Sequence, residues 1–258
     1  MLTYIQDVLL SDDDINLSSL PKNVAIYKVD WMSDCNEFDK DTKLYCSIEQ
    51  YKQYKEEEYN KSFSNYDYSN FAPKLNKYML NNEGYYKQVY QLNKSDVGKF
   101  IRSDSGEKLW SGQIINDEIL ISIIKDQCSK ELFVFLCEAK KIDYEFRLWI
   151  GANNIKELSL YPGSIGQKID HLSYEMVDSI LLYLNDTQEF ANYTFQYKDI
   201  KIDCDALKLI IKEVREYHFP VTLDIAMCND ELKIVELNCY YTSGFYNGRI
   251  EKIIKREL

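Results

Sequence analysis

Three oxygen-bearing side chains near the C-terminus have the types and the spacing of a metal site. Glu236 and Asn238 are two residues apart in a stretch that is typical of a β-strand, so their side chains project from one face. Asp224 lies on the preceding strand candidate, and a turn at Asn229 and Asp230 would join the two as a hairpin. Such oxygens suit Mg²⁺, whose remaining positions nucleotide phosphates and water fill. Ordinary polar alternation at a solvent-facing hairpin edge would give the same pattern.

Cationic side chains in two earlier stretches could bind the anionic partner of such a metal ion. Arg102 lies at the end of a strand candidate, and Lys108 follows a glycine-containing turn that could fold over a triphosphate. Arg147 lies on a later strand candidate, two residues from Glu145, so these two side chains share a face. On a protein surface they would form an ordinary ion pair that contributes little to stability. The residues alone leave both interpretations of Arg147 open.

Composition excludes several other kinds of function. The net charge of −11, with no Lys/Arg-rich block, repels phosphate backbones, so neither generic nucleic-acid binding nor binding to an anionic membrane is expected. The seven cysteines form no CxxC pair, which indicates a reduced, cytoplasmic protein without structural zinc. Only His171 and His218 are available for a histidine metal site or a Ser-His-Asp triad. Neither a membrane span nor a signal peptide is predicted.

The elements that must position these side chains alternate regularly from about residue 76 onward. Strands are predicted over residues 99–103, 113–124, 132–137, 144–150, 157–161, 220–227 and 232–237. Two amphipathic helices are predicted between residues 161 and 220, around Met176–Leu184 and Leu207–Val214, with Asp205 as a cap for the second. Helices grouped together among hairpin-like strands favour an α+β fold over a doubly wound parallel sheet.

The first 75 residues have a different character. A short strand is predicted over residues 24–29, followed by tyrosine-rich polar stretches at residues 51–59 and 62–71. Periodicity does not decide whether these aromatic side chains form core or line a substrate groove, and the core interpretation is favoured.

Three motifs, in the same order along the chain, resemble the ATP-grasp superfamily and in particular a poorly characterised branch of it. FIRSDSGEK (100–108) with WSGQ (110–113) is similar to the branch's FIRPDSG-x-K-x-F-x-G segment, and DYEFRLWI (143–150) is similar to its E-[WY]-R-F strand. Asp224 followed by Glu236-x-Asn238 matches the metal signature of the superfamily. The departures are Ser103 for the usual proline, a different aromatic pattern at residues 109–110, and Thr222 where many ATP-grasp ligases carry arginine.

The resemblance covers roughly residues 76–248 and implies an ATP-grasp fold. In that fold two α+β subdomains, here about residues 76–137 and 138–258, clasp a nucleotide between antiparallel sheets. A smaller N-terminal α/β domain, residues 1–75, would precede them and help to bind substrate.

The resemblance also implies a nucleotide site with ATP and Mg²⁺ as cofactors. Its implied metal ligands are Asp224, Glu236 and Asn238. Its implied cationic catalytic residues, which would also bind the phosphates, are Arg102, Lys108 and Arg147. Glu138 and Glu145 would belong to the same nucleotide site, Glu138 beside the adenine. Because Thr222 replaces an arginine, which of the three cations stabilises the intermediate is left open.

The implied reaction is ADP-forming ligation, in which a carboxylate attacks the γ-phosphate of ATP and an amine or similar nucleophile displaces phosphate from the acyl phosphate. Such a reaction is accelerated mainly by positioning the substrates and neutralising the phosphate charge. It therefore needs cations and metal ligands rather than a nucleophilic Ser or Cys. The implied partners are small-molecule or peptide carboxylates and amines, and the oligomeric state is not indicated. The alternatives are an inactive ATP-grasp binding or scaffold protein and an ATP-dependent phosphotransferase.

Overall fold

The computed structural model describes most of the chain. The described residues are 3–6, 9–10, 20–27, 42–107, 109–160, 172–186, 193–197, 200–216, 220–246 and 248–254. Lys108, both histidines and the ends of two predicted strands, residues 28–29 and 161, lie outside these ranges. Within them, no helix is long and apolar enough to cross a bilayer.

The N-terminal part contains a parallel three-stranded sheet followed by short helices. Its strands are β1 (Thr3–Gln6), β2 (Val24–Tyr27) and β3 (Lys43–Tyr45), with β1 in the middle. The strand predicted at residues 24–29 is therefore confirmed over its described part. The helices that follow are α1 (Ile48–Tyr54), α2 (Glu56–Ser62) and α3 (Tyr68–Phe71).

The tyrosine-rich segment that contains these helices is core. The buried side chains of Tyr51, Phe63, Tyr68 and Phe71 belong to the largest hydrophobic cluster of the protein. Full burial of side chains of this size stabilises a fold by roughly 2–3 kcal/mol each. The interpretation of these aromatic side chains as core is therefore confirmed. The segment packs the N-terminal part against the two larger sheets.

The first four-stranded sheet is antiparallel, in the order β4-β7-β5-β6. Its elements in chain order are β4 (Tyr85–Gln88), β5 (Lys99–Ser103), β6 (Gln113–Ile114), helix α4 (Glu118–Gln127) and β7 (Phe133–Glu138). Helix α4 covers one face of the sheet, where Ile121 and Ile124 form a separate cluster with Val134 and Leu136.

The strand predicted over residues 113–124 is wrong for most of its length. Only Gln113–Ile114 are extended, and α4 begins at Glu118. The isoleucines favoured a strand by their β-branched side chains. Asp117 overrides that preference because its carboxylate caps the helix by accepting a hydrogen bond from the Leu120 N–H, and the buried isoleucines fall three residues apart on one helical face.

The second four-stranded sheet is also antiparallel, in the order β13-β12-β8-β9. The elements of this half are β8 (Tyr144–Ile150), β9 (Ile155–Leu160), α5 (Tyr174–Asn185), β10 (Thr194–Tyr197), β11 (Ile200–Asp203), α6 (Cys204–Arg215), β12 (Val221–Cys228), β13 (Glu231–Cys239) and α7 (Ile250–Ile253). Both predicted amphipathic helices are present, with their apolar stripes buried. The α+β prediction is confirmed.

The second of these helices has a different cap from the one predicted. Asp203 caps α6 by accepting hydrogen bonds from the N–H groups of Asp205 and Ala206. Asp205 lies inside the helix, and its carboxylate instead accepts hydrogen bonds from the Tyr183 hydroxyl and the Tyr193 N–H. The predicted cap is wrong because β11, which pairs with β10 in a two-stranded ribbon, runs directly into the helix and its last residue takes the cap position.

The turn between β12 and β13 generates a prediction about stability. Asn229 and Asp230 form its two-residue loop with φ angles of 53° and 62°, the left-handed conformation of a type I′ turn. We expect Asp230→Val to lower the free energy of unfolding by about 1–2 kcal/mol, because a β-branched residue is strained there. Asp230→Gly should leave it unchanged or raise it by up to about 1 kcal/mol. Urea denaturation measures both, and equal stability of the two variants would contradict this description of the turn.

Candidate functional site

The pairing of β8, β12 and β13 brings three of the predicted site residues onto one rung of the second sheet. Asp224 on β12 stands opposite Arg147 on β8 and opposite Glu236 on β13. Asn238 lies two residues further along β13 and therefore on the same face as Glu236. The three predicted metal ligands are thus brought together by a β-bulge at Val235, which shifts the register by one residue; a regular ladder from the tight turn would place Val235 opposite Asp224.

The amide of Asn238 joins the two carboxylates. Its Nδ2 donates hydrogen bonds to Asp224 Oδ2 at 2.9 Å and to Glu236 Oε1 at 3.1 Å. The amide nitrogen, rather than the oxygen, is therefore the atom that faces both carboxylates. We call Asp224, Glu236 and Asn238, together with the two arginines that pair with them, the polar quintet.

The first of these arginines is Arg147, which forms a buried bidentate ion pair with Asp224. Its Nε and Nη2 donate to the two carboxylate oxygens, each at 2.7 Å, and its Nη1 donates to the carbonyl of Gly244 at 3.2 Å. The two charged side chains are only 2% and 1% exposed. The interpretation of Arg147 as part of a surface ion pair is therefore wrong. Breaking a buried pair from one side typically costs 3–5 kcal/mol, so this contact fixes the geometry of the rung.

The second arginine, Arg102, reaches the quintet from β5 of the other sheet. Its Nη2 donates to Glu236 Oε2 at 2.9 Å, and its Nη1 donates to the carbonyl of Val235 at 3.2 Å. That carbonyl is available because a β-bulge leaves Val235 without a register partner on β12. The pair is more exposed than the first, at 11% and 15%, and involves a single contact between the charged groups. Arg102 thus links the two sheets by a weaker interaction.

Each arginine is stacked on a tyrosine that sequence reasoning did not identify. Tyr68 lies 4.6 Å from the Arg102 guanidinium, and Tyr246 lies 4.6 Å from that of Arg147, measured to the ring centres. Burial raises the pKa of Tyr68, so Arg102 stacks on a neutral phenol. Tyr246 adopts a φ of 41°, a conformation that few residues other than glycine take up, and such strain is concentrated at functional sites.

A cavity of about 600 Å³ lies between the two four-stranded sheets. Its apolar wall is formed by two strand residues of the first sheet and by residues of the connecting segments: Phe100, Ile114, Leu80, Trp110 and Ile142. Arg102, Glu145 and Glu236 line it as well, which gives it a charged region. This volume is in the range of sites that bury a nucleotide-sized ligand, and the few polar groups would orient it.

A second cavity, of about 170 Å³, is lined by Arg147 and Asn238. Thr242, Gly244 and Tyr246 also contribute to its walls. The polar quintet therefore contacts both cavities, with Arg102 and Glu236 on the larger one and Arg147 and Asn238 on the smaller.

Cys239 is also among the residues that line the smaller cavity, but its thiol is not suited to nucleophilic attack. Burial raises its pKa above the usual value of a cysteine, so the thiol is protonated at neutral pH. This arrangement is consistent with chemistry that uses charge neutralisation rather than a cysteine nucleophile.

The glycine-containing turn after β5 is held by hydrogen bonds to the tyrosine-rich segment and contributes to both cavities. The Gly106 N–H donates to Asp67 Oδ1 at 2.7 Å, and Asp104 accepts hydrogen bonds from the N–H and the hydroxyl of Ser69. A Cβ on Gly106 would come within 2.8 Å of Tyr66 Cβ, so only glycine fits against the tyrosine-rich segment there. Ser105 contributes to the larger cavity and Gly106 to the smaller.

Two predicted site residues are not placed with the others. Lys108 lies outside the described residues. Glu138 ends β7 with its side chain 83% exposed, 4.0 Å from Lys99 Nζ, and it lines neither cavity. The segment that follows it does line the larger cavity, through Ala139 and Lys140.

The donor set fits Mg²⁺ better than a metal that needs a full protein cage. Among the described residues, no group of three His, Cys, Asp or Glu side chains is arranged to hold a metal ion. The quintet offers two carboxylates and one amide. Mg²⁺ commonly takes one or two carboxylates and completes its octahedron with water and substrate phosphates.

The unequal ion pairs lead to a prediction about stability. We expect Arg147→Met to lower the free energy of unfolding by about 3–5 kcal/mol, because it removes the bidentate cation from the buried carboxylate of Asp224. Arg102→Met should cost about 1 kcal/mol or less, because Glu236 has partial access to water. The double variant Arg147→Met/Asp224→Leu should recover much of the loss. Urea denaturation measures all three, and an Arg147→Met variant as stable as wild type would contradict the assignment.

Comparisons with known proteins bear on the fold. No family model matches the sequence, and no curated protein is significantly similar to it. Solved structures that resemble the protein include an ATP-grasp RimK domain protein from Sphaerobacter thermophilus, with 9% identity and a TM-score of 0.44 over 67% of this chain and 59% of that one. The ATP-grasp ligase PsnB, complexed with a precursor peptide and AMPPNP, has 9% identity and a TM-score of 0.43, over 71% and 52% of the two chains.

A third similar structure is D-alanine–D-alanine ligase from Bacillus anthracis complexed with ATP, with 12% identity and a TM-score of 0.46 over 92% of this chain and 84% of that one. The chain spans about three fifths and about half of the length of the first two structures. The first two of these structures are ATP-grasp proteins, the superfamily that the three motifs resemble.

Proposed function

We propose that the protein is an ATP-dependent ligase that joins a carboxylate to an amine or a similar nucleophile, with ADP and phosphate as the other products. The observation that carries this proposal is the position of the polar quintet, which contacts a nucleotide-sized cavity on one side and a smaller cavity on the other. An enzyme that activates a carboxylate with ATP needs the two substrates to meet at such a charged junction.

The larger cavity supplies what a nucleotide needs. Phe100 and Ile114 from the first sheet, with Ile142 near the start of the second, give apolar walls for a base. Ala139 and Lys140 line the same cavity, and Glu138 and Glu145 stay proposed contacts of the nucleotide. Arg102 lies where the phosphates would extend toward the quintet, and Lys108 is proposed as a second phosphate contact from the glycine-containing turn.

Asp224, Glu236 and Asn238 are the residues that would hold Mg²⁺. When bound, the ion neutralises phosphate charge and polarises the transferring phosphoryl group. The chain's own contribution is to hold these oxygens on adjacent strands, at the junction of the two cavities.

The carboxylate substrate belongs in the smaller cavity in this proposal. One of its oxygens attacks the γ-phosphorus, the bond between that phosphorus and the β,γ-bridging oxygen breaks, and ADP leaves. The amine then attacks the acyl carbon, phosphate leaves with the C–O bond electrons, and the amine gives up a proton to solvent. Arg147, held by Asp224 and Gly244, supplies a fixed guanidinium for the charge on the transferring group, in a chain whose Thr222 replaces the usual arginine.

The proposed metal ligands generate a prediction about binding. We expect Mg²⁺ to add to the thermal stabilisation that ATP gives the wild-type protein, by roughly 5–10 °C if binding becomes about a hundredfold tighter. Glu236→Ala should lose this Mg²⁺-dependent increment, because a ligand is missing. Glu231→Ala, a matched change at an exposed position of the same strand, should keep it. Thermal unfolding with ATP, in EDTA and then in Mg²⁺, measures the increment, and its full retention in Glu236→Ala would count against the metal assignment.

Product analysis tests the reaction class. With a panel of amino acids and dipeptides as acids and amines, ³¹P NMR and mass spectrometry should show ADP, inorganic phosphate and a condensed product. Oxygen-18 placed in the carboxylate should appear in the phosphate, because the acyl phosphate passes that oxygen on. A phosphorylated acceptor without free phosphate would indicate a phosphotransferase instead. Binding of ATP without consumption across the panel would favour the scaffold alternative.

A further inference from the structure

We propose that Arg102 couples the two ligands of the site by exchanging partners. In this proposal Arg102 pairs with Glu236 until phosphates enter the larger cavity, and it then pairs with the phosphates, which removes its charge from the carboxylate that a metal ion would bind. The inference rests on the proposed function only in that the larger cavity binds a nucleotide. It makes metal binding dependent on nucleotide binding through one side chain.

The two ion pairs of the quintet differ in a way that selects Arg102 for exchange. Arg147 holds Asp224 through both carboxylate oxygens, with both side chains at most 2% exposed. Arg102 holds Glu236 through one oxygen only, and both side chains keep some access to solvent. Opening the first pair would break a bidentate contact between two buried charges, whereas opening the second would break one contact at a position with access to solvent.

Arg102 is also equipped to receive a second partner. Its Nε is buried and has no hydrogen-bond partner in the described part of the structure. Its side chain already lines the larger cavity, and the Tyr68 ring supports the plane of the guanidinium. A phosphate oxygen in the cavity could accept from Nε and from the nitrogens released by Glu236 and Val235, since guanidinium and phosphate pair well in bidentate geometry.

Both oxygens of the Glu236 carboxylate accept hydrogen bonds while Arg102 is paired with it. One of its oxygens accepts from Arg102 and the other from Asn238 Nδ2. A metal ion at this carboxylate would meet the guanidinium charge nearby, and it would meet the amide nitrogen of Asn238 where it needs the amide oxygen. Metal binding therefore requires Arg102 to leave and the Asn238 amide to turn over.

The exchange predicts opposite effects of one substitution on two ligands. Arg102→Gln should bind Mn²⁺, used alone as the probe, about tenfold or more tightly than wild type, because Glu236 has lost its competing cation. The same variant should bind metal-free ADP in EDTA about tenfold more weakly. Titrations followed by the EPR signal of free Mn²⁺ and by calorimetry for ADP measure the two affinities.

The matched control is Lys130→Gln. It removes the same charge from an exposed position before β7, outside both cavities, and should change neither affinity. The double variant Arg102→Gln/Glu236→Gln should lose the gain in Mn²⁺ affinity, which would show that the gain passes through Glu236.

Glu236→Gln gives an independent measurement if Arg102→Gln folds poorly. Without its counter-ion Arg102 is available for phosphates, so this variant should bind metal-free ADP several-fold more tightly than wild type. Mn²⁺ affinity unchanged or weaker in Arg102→Gln, or ADP affinity unchanged or weaker in Glu236→Gln, would overturn the exchange. Either result could occur in a protein that still consumes Mg–ATP, so failure of the exchange is distinguishable from failure of the proposed ligase activity.

Discussion

Arg147 and Asp224 stand opposite each other on adjacent central strands, almost entirely removed from water, and each is the bidentate charged partner of the other. Their bidentate contact fixes the rung from which Glu236 projects on the next strand. A third bond from Arg147 to the Gly244 carbonyl fixes the loop that lines the smaller cavity. The position of the proposed metal ligands, and the wall of the smaller cavity beside them, therefore depend on this one ion pair.

Around that fixed pair the site is balanced in charge, with two carboxylates and two guanidiniums. In a chain with a net charge of −11, an anionic ligand is attracted only where cations are concentrated in a cleft. Arg102 and Arg147 provide that concentration from two different sheets, each supported by a tyrosine ring. The two arginines differ in burial. Arg147, which is almost fully buried, positions the site, whereas Arg102, which is more exposed, can respond to a ligand.

Features set by neighbouring residues could be predicted from the sequence. That Glu236 and Asn238 share a face follows from strand alternation, which is local, whereas Asp224 joins them only because the bulge at Val235 shifts the register by one residue. Features set by tertiary contacts could not be predicted. The bulge that frees the Val235 carbonyl for Arg102 has no sequence signal of its own, and Tyr68 and Tyr246 become neighbours of the arginines only when distant segments meet. The strand predicted over residues 113–124 was wrong because the helix cap formed by Asp117 outweighed the strand preference of the β-branched isoleucines.

A crystal structure of the protein with Mg²⁺ and a non-hydrolysable ATP analogue tests the assignment of the site most directly. The assignment predicts the base in the larger cavity and the terminal phosphate at the quintet. It also predicts Mg²⁺ at about 2.1 Å from oxygens of Glu236 and Asn238, with Arg102 turned from Glu236 to the phosphates. A nucleotide bound outside this cavity, or an ion held away from Glu236 and Asn238, would contradict it.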